Sequence, residues 1–262
     1  MPIAFDTSVP SSARIWNYWL GGKDHFPVDE EAGETYLKIA PQVAVMARES
    51  RAYLARAVRF LTDELSVRQF LDVGTGLPTA ENTHQVAQAV APDTKIVYVD
   101  NDPQVLSHAS ALLYSTPEGV TDYVDADLRE PEAILEAARQ ILDFDRPIAL
   151  MLMGILGHIQ DYDEARAIVR RLQDSLPAGS YFATYDGVDE DAALREAQQN
   201  YDATGAASYV LRSPSQLTAF HDGLTLLDPG VVSCPLWRPD PHFGPDGSPE
   251  CTDIYGGVSR KE

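Results

Sequence analysis

The sequence predicts an α/β fold: a mostly parallel seven-stranded sheet with helices on both faces, an antiparallel hairpin at its C-terminal end and a helical cap at its N-terminus. Three observations predict it. From about residue 69 short apolar runs alternate with helix-length stretches, a spacing that makes a parallel sheet with right-handed crossovers. The first run, Phe70-Leu71-Asp72-Val73, ends in the glycine-spaced turn Gly74-Thr75-Gly76-Leu77-Pro78-Thr79. Near the end, two strand-like runs at 230–237 and Ile254–Arg260 are joined by a Pro- and Asp-rich loop at 238–250, which makes them an antiparallel pair.

The N-terminal part opens with residues 14–26, Arg-Ile-Trp-Asn-Tyr-Trp-Leu-Gly-Gly-Lys-Asp-His-Phe, whose aromatics suit either core packing or a cover over the open edge of the sheet. Helices are expected at 27–40 and 42–65, split by Pro41, because Ala, Leu, Val and Phe recur there at helical spacing. Residues 1–65 are therefore expected to form a helical cap or lid, and 66–262 one sheet domain. Strands are expected at Gln69–Val73, Lys95–Asp100, 122–125, 148–153 and 181–185, each short, apolar and bounded by turn residues. Between them lie helices at 79–90, with Pro78 in its first turn, and at 103–114, 132–141 and 162–176. Asp161 is placed to cap the last of these, and Pro177-Ala178-Gly179 to end it. Further helices are expected at 190–200 and at 211–220, the second started by Ser213 or Ser215.

Composition narrows the partners. With 262 residues the chain can bury a full core, and its formal charge of -20 argues against nucleic acid, whose affinity comes largely from Lys and Arg on phosphates. Cys234 and Cys251 have no metal-like spacing, so no metal is expected and a reduced cytoplasmic setting is the default. Met1 to Pro10 lacks a charged start followed by an apolar stretch, so no signal peptide is expected. The longest strongly apolar run, 148–156, is too short to span a membrane. A homodimer is compatible with all of this.

The chemistry concentrates at the predicted strand ends. Gly74 and Gly76 provide a turn that tolerates φ > 0 and lets a ligand approach the main chain with no Cβ in the way. Asp72, Asp100 and Asp127 end or follow three successive strands, a set that suits a ribose and an adenine better than a string of phosphates. A nicotinamide dinucleotide is the rival ligand, but its fingerprint wants a third glycine where this chain has Thr79, and Pro78 removes a backbone donor.

An ordered set of motifs then carries a resemblance. Asn17-Tyr18-Trp19-Leu20-Gly21-Gly22-Lys23-Asp24, Asp72 to Thr79, Val99-Asp100-Asn101-Asp102-Pro103, Asp125-Ala126-Asp127-Leu128-Arg129, Leu176 to Tyr181, Trp237-Arg238-Pro239 and Tyr255-Gly256-Gly257-Val258 span almost the whole chain. Together they resemble an actinobacterial family of S-adenosylmethionine-dependent methyltransferases long catalogued as a domain of unknown function. The resemblance implies a class I, Rossmann-like methyltransferase fold with S-adenosyl-L-methionine as cofactor. It implies that Gly74, Thr75 and Gly76 lie under the methionine part with Asp72 beneath, that Asp100 binds the ribose with Asn101 beside the adenine, and that Asp127 and Leu128 hold the adenine. Tyr18 and Gly22 match the N-terminal motif and are expected to cover the sulfonium end. The family pattern has His at the position of Gly157 and Asn or Ser at that of Tyr185, so this chain departs from it at both.

For the acceptor, Trp16, Tyr18, Trp19, Tyr185, Tyr201, Tyr209 and Trp237 gather near the predicted opening and suit an aromatic small molecule: an indole, a phenol or a cyclic dipeptide of secondary metabolism. Phe26 and Trp237 are expected to touch it. His158 after the fourth strand and Tyr185 at the end of the fifth are expected to meet as a hydrogen-bonded general-base pair. The alternative is a protein that binds S-adenosylmethionine without catalysis, as a sensor or as a partner in a biosynthetic pathway.

Overall fold

The structure, a computed structural model, describes residues 6–112, 114–239 and 250–262, with the backbone alone described at 109–112. Its strands are β1 (Gln69–Val73), β2 (Lys95–Asp100), β3 (Val120–Asp125), β4 (Ala149–Met153), β5 (Tyr181–Gly187), β6 (Thr225–Leu226), β7 (Val232–Ser233) and β8 (Ile254–Arg260). They form one sheet in the order β3-β2-β1-β4-β5-β8-β6, with β7 also paired to β8. The first five run parallel, and β8 lies antiparallel between β5 and the short β6 and β7. Among the described residues the sheet thus has eight strands where seven are expected. The long strand expected at 230–237 is reduced to Val232–Ser233, because Pro235 lies in a 3-10 turn, Cys234–Leu236, and cannot donate to a ladder. Most of the 238–250 loop lies outside the described residues.

The helices are α1 (Ser12–Trp19), α2 (Pro27–Ile39), α3 (Val43–Asp63), α4 (Thr83–Val90), α5 (Pro103–Leu112), α6 (Pro131–Ala138), α7 (Tyr162–Asp174), α8 (Ala192–Asp202) and α9 (Pro214–Thr218). Strand side chains alternate between two cores. Phe70, Ile96, Met151 and Ala183 face one core with α3 and α4, while Leu71, Val97, Leu150 and Phe182 face the other with α6 and α7. Burial on both faces explains why these strands read as unbroken apolar runs. Caps fall where the sequence places them: Asp161 accepts from the Glu164 N–H at 2.8 Å, and Ser213 rather than Ser215 accepts from the Gln216 N–H at 3.2 Å. The expected helix at 79–90 starts late, at Thr83. Glu81 holds φ 58°, and Asn82 stands just outside the helix with its N–H on Gln85 Oε1 at 2.9 Å, so 79–82 form a turn and Pro78 precedes it.

Within residues 1–65 the helices divide by position. α3 packs on the sheet face, and the Tyr53 hydroxyl lies 3.1 Å from the Thr184 carbonyl oxygen and 2.9 Å from that of Gly257, stitching helix to β5 and β8. Gly256 permits this approach, since a Cβ there would stand 2.7 Å from Tyr53 Cζ. α1 and α2 instead lie with α8 over the C-terminal ends of the strands. A buried ion pair joins the first two: Arg14 Nε is 2.6 Å from Asp29 Oδ2. Among the described residues no helix is long and apolar enough to cross a membrane.

Because the Tyr53 proton serves two buried carbonyls, Tyr53→Phe should lower unfolding free energy by about 1–2 kcal/mol. Gly256→Ala should cost more, since its Cβ also meets the Thr184 carbonyl at 2.9 Å. Denaturant midpoints of the two variants check both.

Candidate active site

In the observed strand order β1 stands between β2 and β4, and α4 after β1 and α7 after β4 pack on opposite faces of the sheet. That topological switch opens a crevice beyond the carboxyl ends of the strands. A cavity of about 720 Å³ occupies it. The loops after β1 to β4 form its floor, and α1, with parts of α2 and α8, forms its roof.

The glycine turn is shaped for a ligand. Gly74 takes φ 76° and donates its N–H to the Val99 carbonyl at 2.8 Å, while Ile155 packs where its Cβ would be. Gly76, at φ 63°, has no atom within 4 Å of its Cβ position, so its bare backbone faces open cavity. Asp100 fixes that loop from the end of β2: Oδ2 accepts the Gly76 N–H and Oδ1 the Asp102 N–H, each at 2.9 Å. Burial pushes the Asp100 carboxyl up, and the backbone N–H groups of Asp102 and Gly76 pull it back. Each oxygen still has lone-pair capacity for a ligand hydroxyl. Next to it, Asn101 Nδ2 donates to Asp127 Oδ2 at 3.0 Å, and buried Leu128 adds an apolar wall. Gly74, Thr75, Gly76, Asp100, Asn101, Asp127 and Leu128 therefore share one cavity, as their positions at strand ends imply. A carboxylate at the end of β2, a paired amide and acid beside an apolar surface and an open backbone cradle fit an adenosyl group.

Other expected contacts lie elsewhere. Asp72 is buried under the loop, accepting from Thr83 Oγ1 at 2.6 Å, so it anchors the start of α4 and does not face the cavity. Tyr18 turns to α2, where its hydroxyl donates to Glu34. Helical spacing puts Trp16, Trp19 and Leu20 on the cavity side of α1 and leaves Tyr18 on another. Gly22 serves a turn whose N–H reaches the Asn17 carbonyl at 2.8 Å, and a Cβ there would collide with the Asn17 side chain. Phe26 precedes α2, with the Arg14 guanidinium over its ring, outside the cavity lining. Trp237 is wholly buried against Tyr53 and Phe60, because the 3-10 turn after β7 drives it under α3. Neither Phe26 nor Trp237 touches the cavity.

His158 and Tyr185 both line the cavity but do not pair. His158 Nδ1 lies 3.1 Å from the Ser208 carbonyl, and its ring packs edge-on against Tyr209. The Tyr185 hydroxyl lies close to Ser50 on α3, and burial pushes it up to about 12. The two side chains are held by different elements, which is why adjacency of their strand ends does not bring them together. Burial lowers the His158 pKa, partly opposed by the Ser208 carbonyl, while Arg129 adds to the lowering.

Beyond the glycine turn the cavity is aromatic. Trp16, Trp19, Tyr36, Tyr201 and Tyr209 line it with Met46 and Ile254. Of these Tyr36 and Met46, with Leu194 and Gln198 on α8, were not expected from the sequence, whereas Tyr201 on the same helix was. Their signal is the i, i+4, i+7 spacing of Leu194, Gln198 and Tyr201, which marks one helix face without saying what that face meets. Arg51, on α3, also reaches the cavity. Below it, Tyr209 donates its hydroxyl to buried Asp186, which burial pushes up to about 7.

Comparison places this geometry. A family model described as S-adenosyl methyltransferase matches residues 2–262. A solved protein of the family of unknown function DUF574, from Streptomyces avermitilis, is 42% identical with a TM-score of 0.92, over 98% of this chain and 99% of its own. A presumed methyltransferase from Thermobifida fusca YX is 38% identical with a TM-score of 0.89, over 98% of this chain and 97% of its own. Human N-acetylserotonin methyltransferase, solved in complex with S-adenosylmethionine, shares the fold at 12% identity, with a TM-score of 0.52 over 95% of this chain and 66% of its own. No curated protein matches.

Burial pushes the Asp72 carboxyl up to about 6, against the Thr83 hydrogen bond and the charge of Arg51. A raised acid binds its proton more tightly folded than unfolded, so its contribution favours folding below the ordinary carboxylate range and is lost as pH rises from about 4 to about 6. Asp72→Asn keeps an acceptor for Thr83 and cannot ionise. It should remove that part of the pH dependence and exceed the unsubstituted protein in stability at pH 7, which denaturant midpoints at pH 4 and pH 7 will read.

Proposed function

The chain belongs to the S-adenosyl methyltransferase family, and on that footing we propose that it methylates an aromatic small molecule, an indole, a phenol or a cyclic dipeptide of secondary metabolism. S-adenosyl-L-methionine is the cofactor. The observation that carries the proposal is the continuity of one cavity, from the Asp100 and Asp127 carboxylates to the chamber of Trp16, Trp19, Tyr36, Tyr201 and Tyr209. Such a chamber favours a flat apolar ring, which gains from edge and face contacts with aromatics and from leaving water.

When bound, the cofactor supplies a sulfonium-activated methyl group. The chain's share is to hold, align and exclude water. Gly76 backbone and the Asp100 carboxylate would hold the adenosyl part, with Asn101, Asp127 and Leu128 around the base. His158 is our candidate general base. With Nδ1–H donating to the Ser208 carbonyl, Nε2 is left with a free lone pair, and the lowered pKa keeps the ring neutral at pH 7. It would take the proton that an N–H, O–H or ring C–H acceptor gives up. Tyr185, which keeps its proton up to about 12, is assigned to the wall of the cavity and not to the base.

A screen of indolic and phenolic compounds with methyl-labelled donor tests the acceptor class; transfer confined to proteins or nucleic acids would sink it. With a working acceptor, His158→Gln should lower kcat by about 10²–10⁴-fold and leave S-adenosylhomocysteine affinity unchanged. Tyr185→Phe should change kcat little. Since His158 must be neutral, the rate should fall as pH drops through a pKa below the ordinary 6.5 and be flat above it, which a pH–rate profile checks.

A further inference from the structure

Two arginines reach the cavity, and they differ in how far they are already engaged. Arg129 is paired: its guanidinium lies 3.6 Å from Asp127 and 3.8 Å from Glu164, and Nη2 donates to the His158 carbonyl at 2.9 Å. Arg51 has no carboxylate within ion-pair distance among the described residues. Its Nη2 donates to the carbonyls of Ala80 and Glu81 at 3.2 and 3.1 Å, which holds it against the loop that follows Thr79. Its Nε is buried and has no hydrogen-bond partner. A buried N–H left unpaired on a permanent cation is costly, and native structures rarely keep one without a reason.

Tyr53, two residues after Arg51, pins α3 to β5 and β8, so the arginine is presented from a fixed helix. Asp100, Asn101 and Asp127 mark the sugar and base end of the cavity at the tips of β2 and β3, whereas Arg51 borders it beside Thr79 and Tyr185. The acids of the lining, Asp100, Asp102 and Asp127, all belong to the first end. The family's cofactor carries one carboxylate, on the amino-acid arm that leaves the sulfur opposite the adenosyl group. A guanidinium that lines the cavity without a carboxylate partner among the described residues matches a carboxylate in both charge and fork geometry.

We propose that Arg51 is the receptor for the α-carboxylate of the cofactor's methionyl arm, and so the residue that makes the site select an amino-acid sulfonium over a plain adenosyl one. The proposal rests on the cofactor assignment and adds a residue to it. It also gives the guanidinium the carboxylate that no described residue supplies.

The test is equilibrium binding by calorimetry with two sulfonium ligands that differ only in the carboxylate, S-adenosylmethionine and its decarboxylated form. The unsubstituted protein should prefer the first by about 10- to 100-fold, the range for a charge-assisted hydrogen bond. Arg51→Met should bring that preference to near unity while leaving the decarboxylated ligand's affinity unchanged, and Arg51→Lys should retain part of it. Equal affinities in the unsubstituted protein would overturn the proposal without any variant being made. So would an Arg51→Met protein that weakens both ligands alike or keeps the full preference, since either would make Arg51 a brace for the 79–81 loop. Failure of the unsubstituted protein to bind S-adenosylmethionine at all would instead overturn the cofactor assignment beneath it.

Discussion

The site depends on one carboxylate bridging two loops. Asp100 accepts the Gly76 N–H and the Asp102 N–H at once, so the turn after β1 and the turn after β2 hold a common geometry. Gly76 has to be glycine for its backbone to lie open to the cavity, and its φ of 63° would strain any other residue. Without the acid, that open backbone would have no fixed direction. The charge is kept in a buried place because two N–H groups stabilise it there, which is the condition under which an ionised group can be buried. The carboxylate proposed above to hold the cofactor's adenosyl part thus also fixes the two loops beside it.

A second buried charge organises the roof. Asp29 pairs with Arg14 and also accepts the N–H groups of Ser11 and Phe26, so the start of α1, the turn after it and the start of α2 converge on one carboxylate. Ser11 in turn reaches Asp102 through its hydroxyl at 3.3 Å. The aromatic face of α1 is thereby tied to the same loop that Asp100 holds. Polar contacts position the roof, and apolar contacts line it. This division suits an enclosed site that must exclude water while keeping its cover in register.

Much of the sheet was legible because its strands are buried on both faces and bounded by Gly, Pro, Asp or Asn, and a turn such as Gly74-Thr75-Gly76 declares its backbone by its composition. That Asp100, Asn101, Asp127 and Leu128 share one cavity followed from the same reading, since they sit at the ends of neighbouring parallel strands and those ends must adjoin. Other residues were misplaced for local reasons. Trp237 looked like a strand residue near the opening until Pro235 turned it inward, and Phe26 looked like part of a cover when it only precedes α2. His158 and Tyr185 stand at neighbouring strand ends, yet the His158 ring turns to the Ser208 carbonyl while the Tyr185 hydroxyl lies beside Ser50.

The sequence by itself determined the parallel sheet, its antiparallel finish and the acid-and-glycine rim, because each is written in short-range pattern: residue period, turn chemistry and the chain direction that alternation enforces. Only the tertiary structure decided which faces of α1, α2, α3 and α8 meet above that rim, and hence the aromatic chamber and the place of Arg51. Helical periodicity tells which residues share a face, but the partner of that face is set by contacts such as Tyr53 with Gly257 and Arg14 with Asp29. The first of these spans most of the chain, and no local pattern encodes such a pairing.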